Sequence, residues 1–247
     1  MSIAIARPPW TKLGRSIESS CRKALYDFSM IDSSSPLSVA LSGGKDSLSL
    51  LFLLHAISGR GFPPFHLHAL HVEERFSPNG EKTKNNVTAI CKELGVPLIL
   101  QPFPDVKEKL ECYACSRIRR KLLFTAARTI GSSTIAFAHH RDDNIQTLLM
   151  NLLQKGEFCS MLAKIKMVQY DITIIRPFIY VSEEEIIRFA HNHGFLTTSC
   201  TCPFGANTKR KSAERLVQAM EKEFPNARKN LSHSAIFYGS KKAEKTA

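Results

Sequence analysis

The chain has no apolar stretch fit to cross a bilayer. Its longest strongly apolar run, about residues 48 to 57, is roughly half of the ~20 residues that a spanning helix requires. The first ten residues, Met1 to Trp10, carry no basic start ahead of an apolar segment. No secretory signal is expected, and the reading is of a cytoplasmic protein without a membrane partner. Seven cysteines in 247 residues are too few and too unevenly spaced for a secreted disulfide scaffold, so any that cluster are expected to ligate metal or do redox chemistry. Internal repeats and low-complexity blocks are lacking as well. Acidic residues are scarce: 22 Asp and Glu face 34 Lys and Arg, giving a net charge of +12 and a pI near 9.5. That imbalance makes a polyanionic partner plausible, nucleic acid first among them, through counterion release and steering. The length suits one α/β domain with a terminal extension better than two full domains.

The most informative segment runs from Leu37 to Ser47, where an apolar strand enters a Ser-Gly-Gly turn that opens a helix. Gly43 and Gly44 lack Cβ atoms, so their N–H groups can approach an anion closely. Lys45 adds a mobile charge, Ser42 and Ser47 can donate hydroxyl hydrogen bonds, and the helix beyond directs its positive end at the same anion. The spacing is not that of Gly-x-x-x-x-Gly-Lys-Ser/Thr, which excludes the common P-loop. The six residues Ser42 to Ser47 resemble the PP-loop of the ATP pyrophosphatases, which cleave ATP between its α and β phosphates to adenylate a substrate.

Periodicity predicts a helix over about residues 11–30, a strand over 65–72, a helix over 81–94 stopped by Gly95, and a strand over 97–103. A charged, helix-like stretch at 105–111 precedes a basic helix at 116–129. A strand at 134–138, a helix at 142–153 and a strand at 172–176 follow, then helices at 182–192, with a Ser182/Glu185 capping box, and at 213–224. Residues 240–247 read as a frayed charged tail. Alternating strands and helices imply an α/β, parallel, doubly wound sheet whose ligand crevice lies at the strand ends, where the Ser-Gly-Gly turn would sit. The alternating His66, His68 and His71 do not share one face of their strand, and a half-exposed strand explains them better than a metal site.

Cys112 and Cys115 form a Cys-x-x-Cys pair, and Cys200 and Cys202 follow far downstream. Two thiolates one turn apart can reach a single metal, with another cysteine brought in by the fold. Ligand chemistry leaves two readings, structural zinc held by four thiolates or an iron-sulfur cluster held by three, with zinc the commoner outcome for such a set. A thioredoxin-type redox pair fits less well, because that motif opens a helix directly after a strand. Cys21, Cys91 and Cys159 stand alone in apolar patterns and read as small hydrophobes. Asp142 and Asp143, at a strand-to-helix junction, are candidate magnesium ligands or ordinary helix caps. Arg117, Arg119, Arg120 and Lys121 lie beside the cysteine pair, and Lys209, Arg210, Lys211 and Arg215 beyond Cys202. If the cysteine segments meet, these basic clusters converge where an RNA backbone would run, with Tyr113, Phe124 and Phe204 as nearby aromatics.

Four motifs in order, namely Ser42 to Ser47, Cys112 to Arg120, Ala138 to Thr147 and Ile175 to Phe178, resemble the tRNA 2-thiocytidine biosynthesis family, TtcA, over about residues 11–235. The resemblance implies an adenine nucleotide α-hydrolase-like fold, with residues 1–36 a helical extension, 37–205 the PP-loop ATP pyrophosphatase domain and 206–247 a C-terminal helix and basic tail. It implies ATP-dependent thiolation of an anticodon-loop cytidine in tRNA, with ATP, Mg2+ and a [4Fe-4S] cluster, a sulfur donor such as a cysteine desulfurase, and a homodimer. Cys112 and Cys115 match two cluster ligands; the third is assigned to Cys202, with Cys200 as the alternative because the family's Pro-Cys-x-x-Cys-Gly is shortened here. Lys45 and Asp46 join the three cysteines as expected catalytic residues. Ser42, Gly43, Gly44, Lys45, Asp46, Ser47 and His139 are the expected nucleotide contacts. Residues 72–75, Val-Glu-Glu-Arg, depart from the family's Asp-containing sequence, which puts ribose or adenine contacts there in question. Two competing readings are a tRNA-lysidine synthetase, disfavoured by Gln146 in place of a glutamate and by the cysteine set, and a non-catalytic, metal-stapled nucleic-acid-binding protein.

Overall fold

Among the described residues six strands join into one sheet: β1 (Leu37–Leu41), β2 (Leu67–Val72), β3 (Leu98–Gln101), β4 (Thr134–Ala136), β5 (Lys164–Met167) and β6 (Ile172–Ile175), in the order β3-β2-β1-β4-β6-β5. The computed structural model describes residues 3–32, 34–73, 79–104, 112–195 and 209–239, apart from the side chains of 112 and 113. The segment 105–111, the cysteines at 200 and 202, Phe204, residues 74 and 75 and the tail from 240 therefore lie outside the described residues. All strand pairs are parallel except β5 with β6, which is antiparallel. The expected doubly wound sheet is present, with a reversed strand on one edge.

Among the described residues eight α-helices accompany the sheet: α1 (Lys12–Asp27), α2 (Lys45–Ile57), α3 (Gly80–Leu94), α4 (Cys112–Thr129), α5 (Arg141–Lys155), α6 (Glu183–Asn192), α7 (Lys209–Glu223) and α8 (Ala227–Tyr238). A helix linking parallel strands runs back against them, so the starts of α2, α3 and α4 stand at the carboxyl edge of the sheet. The order of strands reverses at β1, between β2 and β4, and this is the switch point where such sheets open a crevice.

Burial explains the helix pattern. Ten of the 13 residues of α2 are buried, because α2 is enclosed by the sheet, α1 and α6. Truncating a fully buried leucine there, such as Leu51, is expected to destabilise the fold by about 2–5 kcal/mol. Ile17, Cys21, Ala24 and Leu25 of α1 belong to the same apolar cluster, which joins the N-terminal segment to the main core. On the other sheet face Phe124, Ala126 and Ala127 of α4 pack on Leu70, Ile135 and Ile174. A third, smaller cluster, Ile145, Leu149, Ala213 and Val217, fastens α7 to α5. Burial pushes the Cys91 thiol up to about 12, and Cys21, fully buried, is likewise raised by burial. Both behave as core side chains, as the sequence indicated.

Three expectations need correction. β2 is buried on both faces rather than half-exposed, since β1 and β3 flank it and helices cover the sheet. His71 is fully buried there, its Nδ1 2.8 Å from the Leu41 carbonyl. α4 begins at Cys112 rather than at 116, which puts the cysteine pair inside its first turn. Finally, β5 and α8 were not foreseen. β5 is an edge strand whose alternate residues Lys164 and Lys166 are exposed, and α8 buries only Ser232 and Ala235, too few apolar positions to show a period. The capping box at Ser182 and Glu185 is present with both of its hydrogen bonds. Among the described residues no helix is long and apolar enough to cross a membrane.

Candidate functional site

A cleft of about 360 Å³ opens at the switch point. Its walls come from four places: the β1–α2 turn with Ser42, Asp46 and Ser47; Val72 at the end of β2; Ser116, Arg119 and Arg120 on α4; and Phe137, Ala138, His139 and Asp143 around the end of β4.

The turn is built for an anion. Gly43 adopts a φ of +80°, and a Cβ added to it would collide with Thr83 Cγ2 of α3. Glycine is thus required by backbone and by neighbour alike. Ser47 Oγ accepts from the Ser42 amide at 3.2 Å and donates to the Gly44 carbonyl at 3.0 Å, while the Gly44 amide donates to Ser42 Oγ at 3.3 Å. These bonds brace the turn from within. Gly44 is the N-cap of α2 and supplies no side-chain acceptor, so the first-turn amides of α2 remain available to a ligand.

Lys45 stands at the edge of the cleft, its Nζ 3.0 Å from the Oδ1 of the cleft-lining Asp46 and 3.2 Å from Glu183 Oε1 at the start of α6. Partial burial lowers its pKa, but the two carboxylates outweigh this and the net shift is upward.

At the opposite wall, α5 starts with an uncommon cap. His140 is the N-cap and its Nδ1 accepts from the Asp143 amide, while Asp143 Oδ2 accepts from the His140 amide at 3.2 Å. The two neighbouring aspartates have different fates. Asp142 is buried, with Oδ2 accepting from the Glu183 amide at 2.7 Å and Oδ1 paired with Arg228 Nη1 of α8 at 2.5 Å. Both of its oxygens are therefore committed to the protein. Asp143 faces the cleft and pairs with Arg210 of α7. Burial raises its pKa, yet His140, His139 and Arg210 more than offset that, and it is held below the usual carboxylate range. His139 stacks on Phe137 with ring centroids 5.8 Å apart. Burial, reinforced by the Arg176 charge, pushes it down to about 3, so its imidazole is neutral at physiological pH.

Both basic segments reach this cleft. Arg119 and Arg120 line it, with the Arg119 guanidinium 6.0 Å from the Phe103 ring centroid, and Arg210 closes on Asp143 from the other side. Arg117, Lys209 and Lys211 are exposed on the same two helix starts. Cys115 is half-buried in the first turn of α4 and packs against the second apolar cluster, next in sequence to the cleft residue Ser116. Cys112 opens that helix; Cys200 and Cys202 lie outside the described residues. Among the described residues no three His, Cys, Asp or Glu side chains gather as a metal site.

Sequence reading missed Glu183, Thr83 and Arg228. Glu183 lies in a Glu-Glu-Glu run that reads as a helix start, and its partner Lys45 is 138 positions away, a relation no local pattern encodes. Arg228 joins Asp142, Glu214 and Glu221 in one cluster, which fixes α8 to the start of α5 and to α7. Arg176, quoted in a motif without a role, donates from Nη1 to the Leu162 carbonyl. Burial and the nearby Arg120 push it down to about 10.

Comparison with known proteins matches residues 13–197 to a family model described as a PP-loop domain. A tRNA-cytidine(32) 2-sulfurtransferase of Pelobacter propionicus is 33% identical over 230 residues, covering 89% of this chain and 84% of that protein. The protein of the same name from Bdellovibrio bacteriovorus is 35% identical over 212 residues, covering 83% of this chain and 81% of its own. Among solved structures, the U34-tRNA thiolase NcsA from Methanococcus maripaludis, with its [4Fe-4S] cluster, superimposes with a TM-score of 0.74 at 20% identity, over 90% of this chain and 77% of that one.

Proposed function

We infer a function from one premise: the chain belongs to the tRNA-cytidine 2-sulfurtransferase family of PP-loop proteins. It is an ATP-dependent tRNA sulfurtransferase that converts a cytidine, at position 32 as in its relatives' names, to 2-thiocytidine. The observation that carries this reading is the single cleft shared by the Ser-Gly-Gly turn, the first turns of α4 and the start of α5.

The C2 oxygen of cytidine is a poor leaving group, so it must be activated before sulfur can replace it. In the proposed reaction that oxygen attacks the α-phosphorus of ATP and pyrophosphate departs. The turn at Gly43 and Gly44 and the first-turn amides of α2 hold the phosphates and stabilise the charge that develops on the leaving group. Ser42 and Ser47 keep the turn in shape, and Lys45 and Asp46 act at the phosphates. A sulfur nucleophile then adds at C2, and AMP leaves with the original oxygen. Neutral His139, stacked on Phe137, offers a hydrogen bond and an aromatic face to a base. Arg119, Arg120 and Arg210, with Arg117, Lys209 and Lys211 around them, supply contacts for the RNA backbone.

The donor sets fit the groups that this chemistry uses. Asp143, which lines the cleft as Asp46 does, would hold a magnesium ion that neutralises triphosphate charge once its half-exposed partner Arg210 gives way; Asp142 would not, since it is buried between the Glu183 amide and Arg228. Cys112, Cys115 and Cys202, with Cys200 as the alternative third thiolate, would hold a [4Fe-4S] cluster whose remaining iron can carry sulfide. The proposed chemistry favours a cluster held by three thiolates over zinc held by four, because a closed zinc site offers no position for sulfide. A cysteine desulfurase is the proposed sulfur donor, the cytoplasm the proposed compartment and a homodimer the proposed assembly.

Pyrophosphate release from ATP with unmodified tRNA, followed by digestion and detection of 2-thiocytidine, tests the reading. Activity with tRNA and the thiolated nucleoside are expected, together with visible absorbance and stoichiometric iron and sulfide after anaerobic purification. Tight tRNA binding without pyrophosphate release would turn the decision toward a binding module.

A further inference from the structure

We infer that Glu183 is a positioning residue that holds Lys45 at the edge of the nucleotide cleft, so that ATP must take Lys45 from it in order to bind; this rests on the cleft being the ATP site. Three observations carry the inference. Lys45 Nζ stands at the edge of the cleft, 3.0 Å from the Oδ1 of the cleft-lining Asp46. The same Nζ is 3.2 Å from Glu183 Oε1 on another helix. Glu183 is also fixed where it stands: its amide donates to Asp142 Oδ2 at 2.7 Å, the adjacent Ser182 caps α6, and Asp142 is itself clamped by Arg228.

The helix start is rigid, but the ion pair is weak. The Lys45 and Glu183 side chains are 21% and 44% exposed, and pairs in such surroundings hold loosely. A triphosphate, with several negative charges and the α2 amides already directed at it, competes well for the same ammonium. Asp46 stays beside Lys45 throughout, 3.0 Å away, and moves with it on α2. Glu183 is on another helix, so only its contact is broken when Lys45 turns to the phosphates. The arrangement keeps the lysine ordered without nucleotide, at the expense of some affinity.

The test is equilibrium binding of a non-hydrolysable ATP analogue to the full-length protein, by calorimetry, for the unaltered protein, Glu183→Gln, Lys45→Met and the double variant. Glu183→Gln should bind the analogue roughly two- to fivefold more tightly, the range expected for releasing one half-exposed ion pair. In steady state its KM for ATP should fall while kcat does not rise. In the Lys45→Met background Glu183→Gln should add nothing, since its effect runs through Lys45. Equal tightening in both backgrounds would show plain charge removal and overturn the inference, as would unchanged or weaker binding by Glu183→Gln. Glu183→Asp, which keeps the charge at the start of α6 but shortens the reach, should show the same tightening and serves if the glutamine variant folds poorly. Failure of the unaltered protein to bind the analogue would refute the ATP reading itself, an outcome distinct from the others.

Discussion

Alanine at position 43 should impair nucleotide binding through two separable effects. The first is backbone strain, because the native φ of +80° places an L-residue in the left-handed region at about 1–2 kcal/mol. The second is collision, because the new methyl group would meet Thr83 Cγ2, and overpacking of that kind typically costs about 1–3 kcal/mol. The turn is short and bounded by the bracing bonds of Ser42 and Ser47, so strain is relieved by moving the turn out of its anion-binding shape. The strain part alone corresponds to a roughly 5- to 30-fold loss of ATP affinity, and the collision raises it further. Thr83→Ser removes the methyl group that collides and leaves the backbone problem. The double variant Gly43→Ala/Thr83→Ser should therefore bind ATP better than Gly43→Ala, yet still at least about fivefold worse than the unaltered protein. Calorimetric titration of all four proteins measures both parts. Native-like affinity in Gly43→Ala would refute the account of the turn, and no recovery in the double variant would refute the role of Thr83.

Other expectations follow from the same geometry. Arg228→Ala strips the cation from buried Asp142 and from Glu214 and Glu221, so stability should fall by about 3–5 kcal/mol, a drop in Tm of roughly 6–20 °C; a thermal scan within a degree or two of the unaltered protein would remove Arg228 from its structural role. His139 is pushed down to about 3 in the fold, so between there and its ordinary value near 6.5 the unfolded chain binds a proton that the folded chain does not. Stability is therefore lost as pH falls below about 6.5, by at most about 2 kcal/mol at pH 5, and His139→Gln should flatten that part of an acid denaturation curve. Cys112→Ala should abolish thiolation and visible absorbance while tRNA still binds; full thiolation by that variant would dismiss the cluster. The affinity for tRNA should fall steeply with salt, and Arg120→Ala should lower the log–log slope by about one, whereas an unchanged slope would place Arg120 away from phosphate.

The fold was largely legible because its signals are local. An apolar strand, a glycine turn and an apolar helix follow one another from Leu37 to Ile57, and each is set by neighbours in sequence. β5 escaped because Lys164 and Lys166 point to solvent on a sheet edge, which leaves only two apolar residues to mark a strand. For the site, the turn, Arg119, Arg120, His139 and Asp143 come together at the cleft from residues singled out in advance. Asp142 shows where such reading stops. Its composition and place match those of Asp143, and only the approach of Arg228, 86 positions later, separates a structural carboxylate from one that faces the cleft. Glu183 is the same case: a helix-capping pattern conceals a contact that depends on how α6 packs on α2.

The topology also explains why the helix that carries the cysteine pair starts beside the Ser-Gly-Gly turn. The crossover from β3 to β4 must span the width of β2 and β1, since the sheet order is β3-β2-β1-β4. Its helix, α4, runs against the strands, which forces the first turn of α4 to the carboxyl edge, above the turn that follows β1. Cys112 and Cys115 occupy that first turn, and one residue further on Ser116 already lines the cleft. A cysteine pair placed at the other end of α4, about 18 residues of helix or roughly 27 Å away, would sit at the opposite edge of the sheet. The position of the motif within its helix, more than its spacing, is what would bring adenylation and sulfur delivery to one base in the proposed reaction.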